Sequence, residues 1–379
     1  MTSKIKTLLG SVALTVLATL APVAAQAETY KVPILQALTG GAAFIGAPFA
    51  EGLKMAFDKA NASGGFGEGV KIDYTVEDDA SDKSQVITLM RRYANDPAVL
   101  IVAGPTSGAV SGVAGTVANE VKVPMMTVSN TVEARESGPY SFITAQPGPM
   151  VVPVVAKYAA EKVGVKKCQT IGITDNESYV TQAKVFVDTL AKSGVAIADQ
   201  IGLKGNETDF SAAAVRLASG DADCVFVAAP ASMAANIIVQ LKQAGLDPEA
   251  KIFGMTSMAS PDLIRIGGGA VEGVTFIADW VPGGTNDVGA QFAKDFAAKH
   301  GRDPANWDAM GYSAGLVIAD AIRRAGPNPT RDKVREAMNS TSALMVAVGQ
   351  GGFSYDAERF PHFGINVVTV KDGKMVAAE

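Results

Sequence analysis

Histidine and cysteine are scarce. In 379 residues there are two of each: His300 and His362, Cys168 and Cys224. That excludes a zinc ribbon, an iron–sulfur centre and a disulfide-dense module, whose ligands or pairs come in closely spaced sets. Positive charge is short as well. Lys and Arg number 33 against 38 Asp and Glu, a net −5 at pH 7, so bulk charge does not recruit nucleic-acid phosphates. The G-x-x-x-x-G-K-[ST] phosphate loop is missing, since Gly373-Lys374 lacks both the upstream glycine and the following Ser or Thr. Gly64-Gly65-Phe66-Gly67-Glu68-Gly69 does not follow a strand and open a helix, so it reads as a turn rather than a dinucleotide loop. No His/Cys/carboxylate cluster has metal-ligand spacing, and nothing calls for a cofactor. After residue 27 no apolar run reaches the ~18 residues of a membrane span.

What is present begins with an export signal. Residues 1–27 open on Lys4 and Lys6, run through an apolar stretch at Leu8–Leu20, and end in Ala25-Gln26-Ala27, the small-x-small pattern of a signal-peptidase site. The apolar core is short for an anchor, and a cleavage site follows it directly. Cleavage after Ala27 and export to the periplasm are therefore expected. With 48% apolar residues, 7% aromatics and 39 glycines, the remainder reads as a soluble α/β chain of about two domains. In an oxidising compartment the two thiols more often pair than stay free. Cys168 and Cys224 open the similar runs CQTIGI and CVFVAA, which predicts a structural disulfide, with two unpaired core cysteines as the alternative.

Short β-rich runs alternate with helical stretches from residue 30 onward. Strands are expected at 30–37, 71–77, 98–103 and 123–128, with helices at 49–63, 84–94 and 110–121 between and after them. A second series follows Pro147-Gly148-Pro149: helix 150–163, strand 168–174, helix 179–193, strand 195–201, helix 210–218, strand 223–229, helix 232–244, then strands 251–255 and 273–278. The tail adds helices at 288–300, 307–325 and 331–339 and a hairpin over 364–376 turning at Asp372-Gly373. Parallel neighbours need helical crossovers, so two βαβ series predict two Rossmann-like, doubly wound parallel-sheet lobes. The tail completes them. The expected division is residues 28–147 plus about 280–347 for the N-terminal lobe and 148–279 plus about 348–379 for the C-terminal lobe. Gly/Pro-rich stretches at 146–149, 282–284 and 349–352 are candidates for a three-segment hinge.

Ligands of open parallel sheets bind beyond the carboxyl ends of the strands. Those segments here are 38–48 (LTGGAAFIGAP), 78–84, 104–110 (GPTSGAV), 128–134 (VSNTVEA), 174–180 (TDNESYV), 229–233 and 255–259. Glycines and small hydroxyl residues dominate them, which lets a backbone approach a ligand; singly, each also looks like a helix N-cap. One stretch imitates a catalytic motif. Gly311-Tyr312-Ser313-Ala314-Gly315 matches G-x-S-x-G, and Asp320 or Asp356 and then His362 follow in the right order for a secreted serine esterase. A nucleophile elbow requires an apolar strand directly before the serine. Asp303-Pro304-Ala305-Asn306-Trp307-Asp308 is instead a loop and a helix start, so small residues facing a packed helix explain the match better, and no enzyme is expected.

The sequence resembles the periplasmic binding proteins of branched-chain amino-acid ABC transporters, the leucine/isoleucine/valine-binding family, over most of the exported chain. The matching residues are Leu38-Thr39-Gly40, Gly52 with Ala60-Asn61 and Gly64-Gly65, Glu77-Asp78-Asp79, and Gly104-Pro105 with Ser107-Gly108. Tyr179, Thr208-Asp209-Phe210-Ser211 and Gln243-Ala244-Gly245-Leu246 continue the match in order. The resemblance implies a type I two-lobe fold with three crossings and a monomer that delivers its ligand to an inner-membrane ABC permease with ATPase subunits. It implies a ligand carboxylate on Ser107, Gly108 and Thr131, with backbone groups of Ser129 and Asn130 beside it and Tyr179 closing from the second lobe. Phe44, Ile45, Pro230 and Trp280 would form the side-chain pocket. Two departures stand out. Thr256 occupies the place where amino-acid binders of this type put an acid for the ligand's ammonium, leaving Asp175, Glu177 or Asp279 as substitutes. Ser81 and Ser107 stand where some relatives have a first-lobe disulfide. An apolar amino acid is thus the default ligand, and an aromatic or aliphatic carboxylic acid the rival. An exported sensing module for a membrane receptor is the alternative to transport.

Overall fold

The computed structural model describes residues 28–129 and 132–378; residues 1–27, where an export signal is expected, and the site candidates Asn130 and Thr131 lie outside the described residues. The first sheet has five parallel strands in the order Val76–Asp78, Ile34–Gln36, Val102–Thr106, Met125–Val128 and Ser141–Ile143. The expected strand at 30–37 breaks around Pro33, which has no N–H to donate to a ladder. Its first half, Glu28–Lys31, pairs instead with Val70–Asp73 in a separate two-stranded ribbon. Ser141–Ile143 had no expectation; three residues are too few to show a period.

Helices cover both faces of this sheet. Phe49, Leu53, Phe57, Met310 and Val317 belong to the core on one side, and Val86, Met90, Val110 and Val117 to the core on the other. The helices Ala43–Ser63 and Asn306–Arg324 cross at backbone contact. A Cβ at Gly52 would sit 2.0 Å from the Asp308 carbonyl oxygen, one at Gly311 2.0 Å from that of Phe49, and one at Gly315 2.4 Å from Ala56 Cβ. The glycines of the G-x-S-x-G match are therefore a packing stripe. Ser313 lies mid-helix and buried, and its Oγ accepts the N–H groups of Ala347 (3.1 Å) and Val348 (3.3 Å). Asp320 pairs with Arg323 and Arg324, and Asp356 with His362. No elbow strand precedes the serine.

The second sheet has seven strands: Lys374–Ala377, Asn366–Lys371, Thr275–Ala278, Lys251–Gly254, Cys224–Ala228, Lys167–Ile173 and Ala196–Leu203. The last five are parallel, and the C-terminal hairpin adds antiparallel at one edge. Its turn residues Asp372 (φ +52°) and Gly373 (φ +66°) are both left-handed, the form a two-residue hairpin favours. Cys168 faces Cys224 directly across adjacent strands, their Cα atoms 4.4 Å apart, and the two are joined in a buried disulfide as expected.

One stretch packs elsewhere than expected. Residues 348–363, assigned above to the C-terminal lobe, go with the first core: Val348, Phe353, Tyr355 and Phe363 cluster with Phe142, and Tyr355 Oη donates to the Ile143 carbonyl at 2.9 Å. The alternation of Phe353 and Tyr355 on the short strand Gly352–Tyr355 supplies that apolar face. Only from Ile365 onward does the chain join the second lobe's cores, which moves the third crossing from 349–352 to about 364. Among the described residues no helix is long and apolar enough to cross a membrane, and no group of His, Cys, Asp and Glu is arranged to hold a metal ion.

Candidate functional site

The carboxyl ends of the two sheets face each other across a cleft of about 760 Å³. On the first lobe, Ser107 and Gly108 follow the strand Val102–Thr106 and open the helix Gly108–Val121. A buried polar brace holds this corner. Thr106 Oγ1 donates to Gln36 Oε1 (2.5 Å) and accepts from the Ala37 N–H (3.1 Å), while the Thr106 N–H donates to Asp79 Oδ2 (2.9 Å). Burial pushes the Asp79 carboxyl up, against the pull of the Thr106 and Ser81 N–H groups. Its neighbour Asp78 clasps the Leu38-Thr39-Gly40 loop, accepting from the Leu38, Thr39 and Ala80 amides and the Thr39 hydroxyl. Burial is the largest single influence on Asp78 and would raise it; those donors together outweigh it and hold the carboxyl below its ordinary value. The paired acids of the Glu77-Asp78-Asp79 motif are thus braces for the loops that line the cleft.

Ser107 is held at φ +77°, a region costly for any residue with a side chain. Its hydroxyl makes no capping hydrogen bond, so it is free to face the cleft, which it lines with Gly108 and Ser129. Phe44 and Ile45 also line it, from the first turn of the helix Ala43–Ser63, which starts six residues earlier than the sequence pattern indicated.

On the second lobe, Asn176 caps the helix Glu177–Lys192 by accepting the Ser178 N–H at 3.0 Å, and that start turns Tyr179 into the cleft. Burial pushes the Tyr179 phenol up to about 12, with a hydrogen bond to Ser257 acting the other way. Thr256, Ser257 and Pro230 complete this wall, and Ser257 Oγ donates to the Ala229 carbonyl at 2.8 Å.

Of the candidates, Ser107, Gly108, Ser129, Tyr179, Thr256, Phe44, Ile45 and Pro230 meet in one cleft. Trp280 does not. Its backbone N–H donates to Asn306 Oδ1 at 2.9 Å, and its ring is buried in the first core, edge-on to Phe292 at 5.6 Å. Trp307, one residue past that asparagine, lines the cleft instead. The sequence reading did not reach Gln146 and Gln182, whereas Lys83 and Met255 fell within its strand-end segments 78–84 and 255–259 without being singled out. Gln182 had a signal, lying three residues after Tyr179 and so on the same helical face; Gln146 had none. Among the three acids considered as ammonium partners, Asp175 accepts the Gly205 N–H (3.0 Å) and Glu177 is an exposed first-turn residue. Asp279 is buried, and burial pushes its carboxyl up to about 6.

Residues 29–374 match the family described as "Periplasmic binding protein". The leucine-, isoleucine-, valine-, threonine- and alanine-binding protein of Pseudomonas aeruginosa is 28% identical over 335 residues, 86% of this chain and 86% of its own length. A leucine binding protein from Thermotoga maritima has a similar structure, with a TM-score of 0.82 at 24% identity, covering 92% of this chain and 98% of that one. So does an ABC-transporter solute binding protein from Rhodopseudomonas palustris BisB5 in complex with 3,4-dihydroxybenzoic acid, with a TM-score of 0.81 at 23% identity and coverage of 92% and 96%.

Proposed function

The chain belongs to the periplasmic binding protein family, and from that premise we propose that it captures a small carboxylate-bearing solute in the inter-lobe cleft and delivers it to an ABC permease with its ATPase subunits. One observation carries this reading. Ser107 is strained, braced from below by Thr106, Asp79 and Gln36, and presents an uncommitted hydroxyl and a helix start to a cleft that Tyr179 closes from the other lobe. Such donors hold a carboxylate without arginine, each charge-assisted bond contributing about 1.5–3 kcal/mol. Ser129 adds to that wall, and the family resemblance assigns Asn130 and Thr131 to the same carboxylate. The protein acts as a monomer in the periplasm after loss of residues 1–27, and closes about the crossings when loaded.

Two ligand classes suit this cleft. An apolar amino acid accords with the name of the P. aeruginosa relative. An aromatic acid accords with Thr256, with the Phe44 and Trp307 walls, and with the dihydroxybenzoate bound by the R. palustris protein. A thermal-shift screen of amino acids, aliphatic acids and aromatic acids tests the proposal, because a ligand bound only by the native state raises the midpoint. Carboxylates should stabilise the protein, and Ser107→Ala should abolish most of the shift. Stabilisation by a sugar or an uncharged amide, indifferent to Ser107→Ala, would refute the carboxylate site.

A further inference from the structure

We propose that Gln182 and Trp307 read a hydroxyl group on the solute, so that the cleft selects a hydroxylated carboxylic acid over its plain counterpart. This rests on the cleft being the solute site. Both side chains line it, one from each lobe, and both are almost wholly buried, at 2% and 8% exposed. Each nevertheless carries a polar atom with no hydrogen-bond partner among the described residues: Gln182 Oε1, an acceptor, and Trp307 Nε1–H, a donor. Folded interiors rarely leave such atoms bare, because each has given up its bonds to water. Other bare buried atoms, such as Tyr93 Oη and His300 Nε2, belong to residues that do not line the cleft.

The fold fixes both side chains beside the crossings. Gln182 lies one turn beyond Tyr179 on the helix Glu177–Lys192. Its Nε2 donates to Ser178 Oγ at 3.0 Å, and its stem presses on Gly148, where an added Cβ would meet Gln182 Cγ at 2.4 Å. Gln146, two residues before that glycine, is tied to the third crossing: its Nε2 donates to the Gly364 carbonyl at 2.9 Å. Trp307 follows Asn306, whose Oδ1 accepts the backbone N–H of Trp280 at the second crossing. Ser107 and Gly108 belong to a different helix start, so the carboxylate and this pair engage different parts of the solute. A bare donor and a bare acceptor together specify chemistry. A methyl satisfies neither, a carbonyl only the indole, an ammonium only the amide oxygen. A hydroxyl is the smallest group that answers both, donating to Oε1 and accepting from Nε1–H. Phe44, Ile45 and Pro230 add apolar walls, so the hydroxyl rides on an aryl or alkyl frame. A plain branched aliphatic side chain would leave both atoms bare, and a site built to bond a hydroxyl strongly rejects the analogue lacking it.

The test is titration calorimetry on the purified chain at pH 7 with matched pairs. These are benzoate and 4-hydroxybenzoate, 3-phenylpropanoate and 3-(4-hydroxyphenyl)propanoate, phenylalanine and tyrosine, and valine and threonine. In the tightest-binding pair the hydroxylated member should bind roughly 30-fold tighter or more. Trp307→Phe keeps a ring and loses the donor, and Gln182→Met keeps the length and loses the amide. Each should cut that ratio about tenfold, whereas a general loss of packing would weaken both members alike. Three results would overturn the assignment: a ratio near one in the unaltered protein, a ratio that survives both variants, or a preference for 4-carbamoylbenzoate over 4-hydroxybenzoate. Any of these leaves the carboxylate site standing if Ser107→Ala weakens both members of the pair. Failure of every acid to bind would remove both.

Discussion

Replacing Ser313 by alanine separates the helix-packing account of Gly311–Gly315 from a catalytic one. The hydroxyl is the acceptor for the N–H groups of Ala347, at 3.1 Å, and Val348, at 3.3 Å, in a segment that is fully buried. Its loss strands two buried donors at about 1–3 kcal/mol each, the longer contact at the low end. Alanine returns about half a kcal/mol through its helix propensity. The expected net cost is therefore about 1.5–3.5 kcal/mol, concentrated in the first lobe. For a unit of 150–250 residues that lowers the midpoint by about 3–14 °C, which differential scanning calorimetry would resolve. Ligand affinity, measured well below the transition, should be unchanged because Ser313 does not line the cleft. An unchanged midpoint would show that the two amides find other acceptors. Stoichiometric labelling of Ser313 by a fluorophosphonate would refute the reasoning outright.

Three further outcomes are expected. Cys168→Ala with Cys224→Ala removes a cross-link spanning 56 residues, which the chain-entropy relation values at about 4 kcal/mol; urea unfolding of the second lobe should show it, and a loss under about 1 kcal/mol would count against that role. Ser107→Gly relieves the strain at φ +77° and should raise the ligand-free unfolding free energy by about 1–2 kcal/mol, whereas Ser107→Ala should not. Both should weaken carboxylate binding roughly ten- to a hundredfold in calorimetry, and wild-type affinity in either would contradict the site. Finally, the folded Asp279 keeps its proton up to about 6, while an unfolded aspartate loses it near 3.9. The ligand-free protein should therefore lose stability from this group, on the order of 3 kcal/mol, as pH rises from about 4 to about 6. The difference between wild type and Asp279→Asn in pH-dependent thermal unfolding isolates it, and an opposite slope would be incompatible with a buried, unpaired carboxyl.

Much of the architecture was legible because it follows from local pattern. Strand and helix periodicities do not depend on distant partners, and two βαβ series leave few topologies open. The disulfide was legible for the same reason, since the first and third strands of such a lobe are neighbours and Cys168 and Cys224 begin them. Much of the cleft could be placed in advance, because loops after parallel strands converge whatever their sequence. Phe44 and Ile45, Ser107 and Gly108, Ser129, Tyr179, Pro230 and Thr256 all arrive there by that rule.

The sequence by itself therefore determined the export signal as an expectation, the two-lobe winding and the strand-end loops that face each other. Tertiary structure decided what depends on partners far along the chain. Trp280 and Trp307 are both tryptophans near a crossing, and the Asn306 contact to the Trp280 backbone settles which one packs inward and which lines the cleft. Residues 348–363 carry apolar side chains that either lobe could bury, and the space beside Phe142 claims them. Asp279 looks like any acid at a strand end. Only the packed fold shows it buried with a single long side-chain contact and, among the described residues, no cation, because burial and pairing are properties of the surroundings and not of the residue.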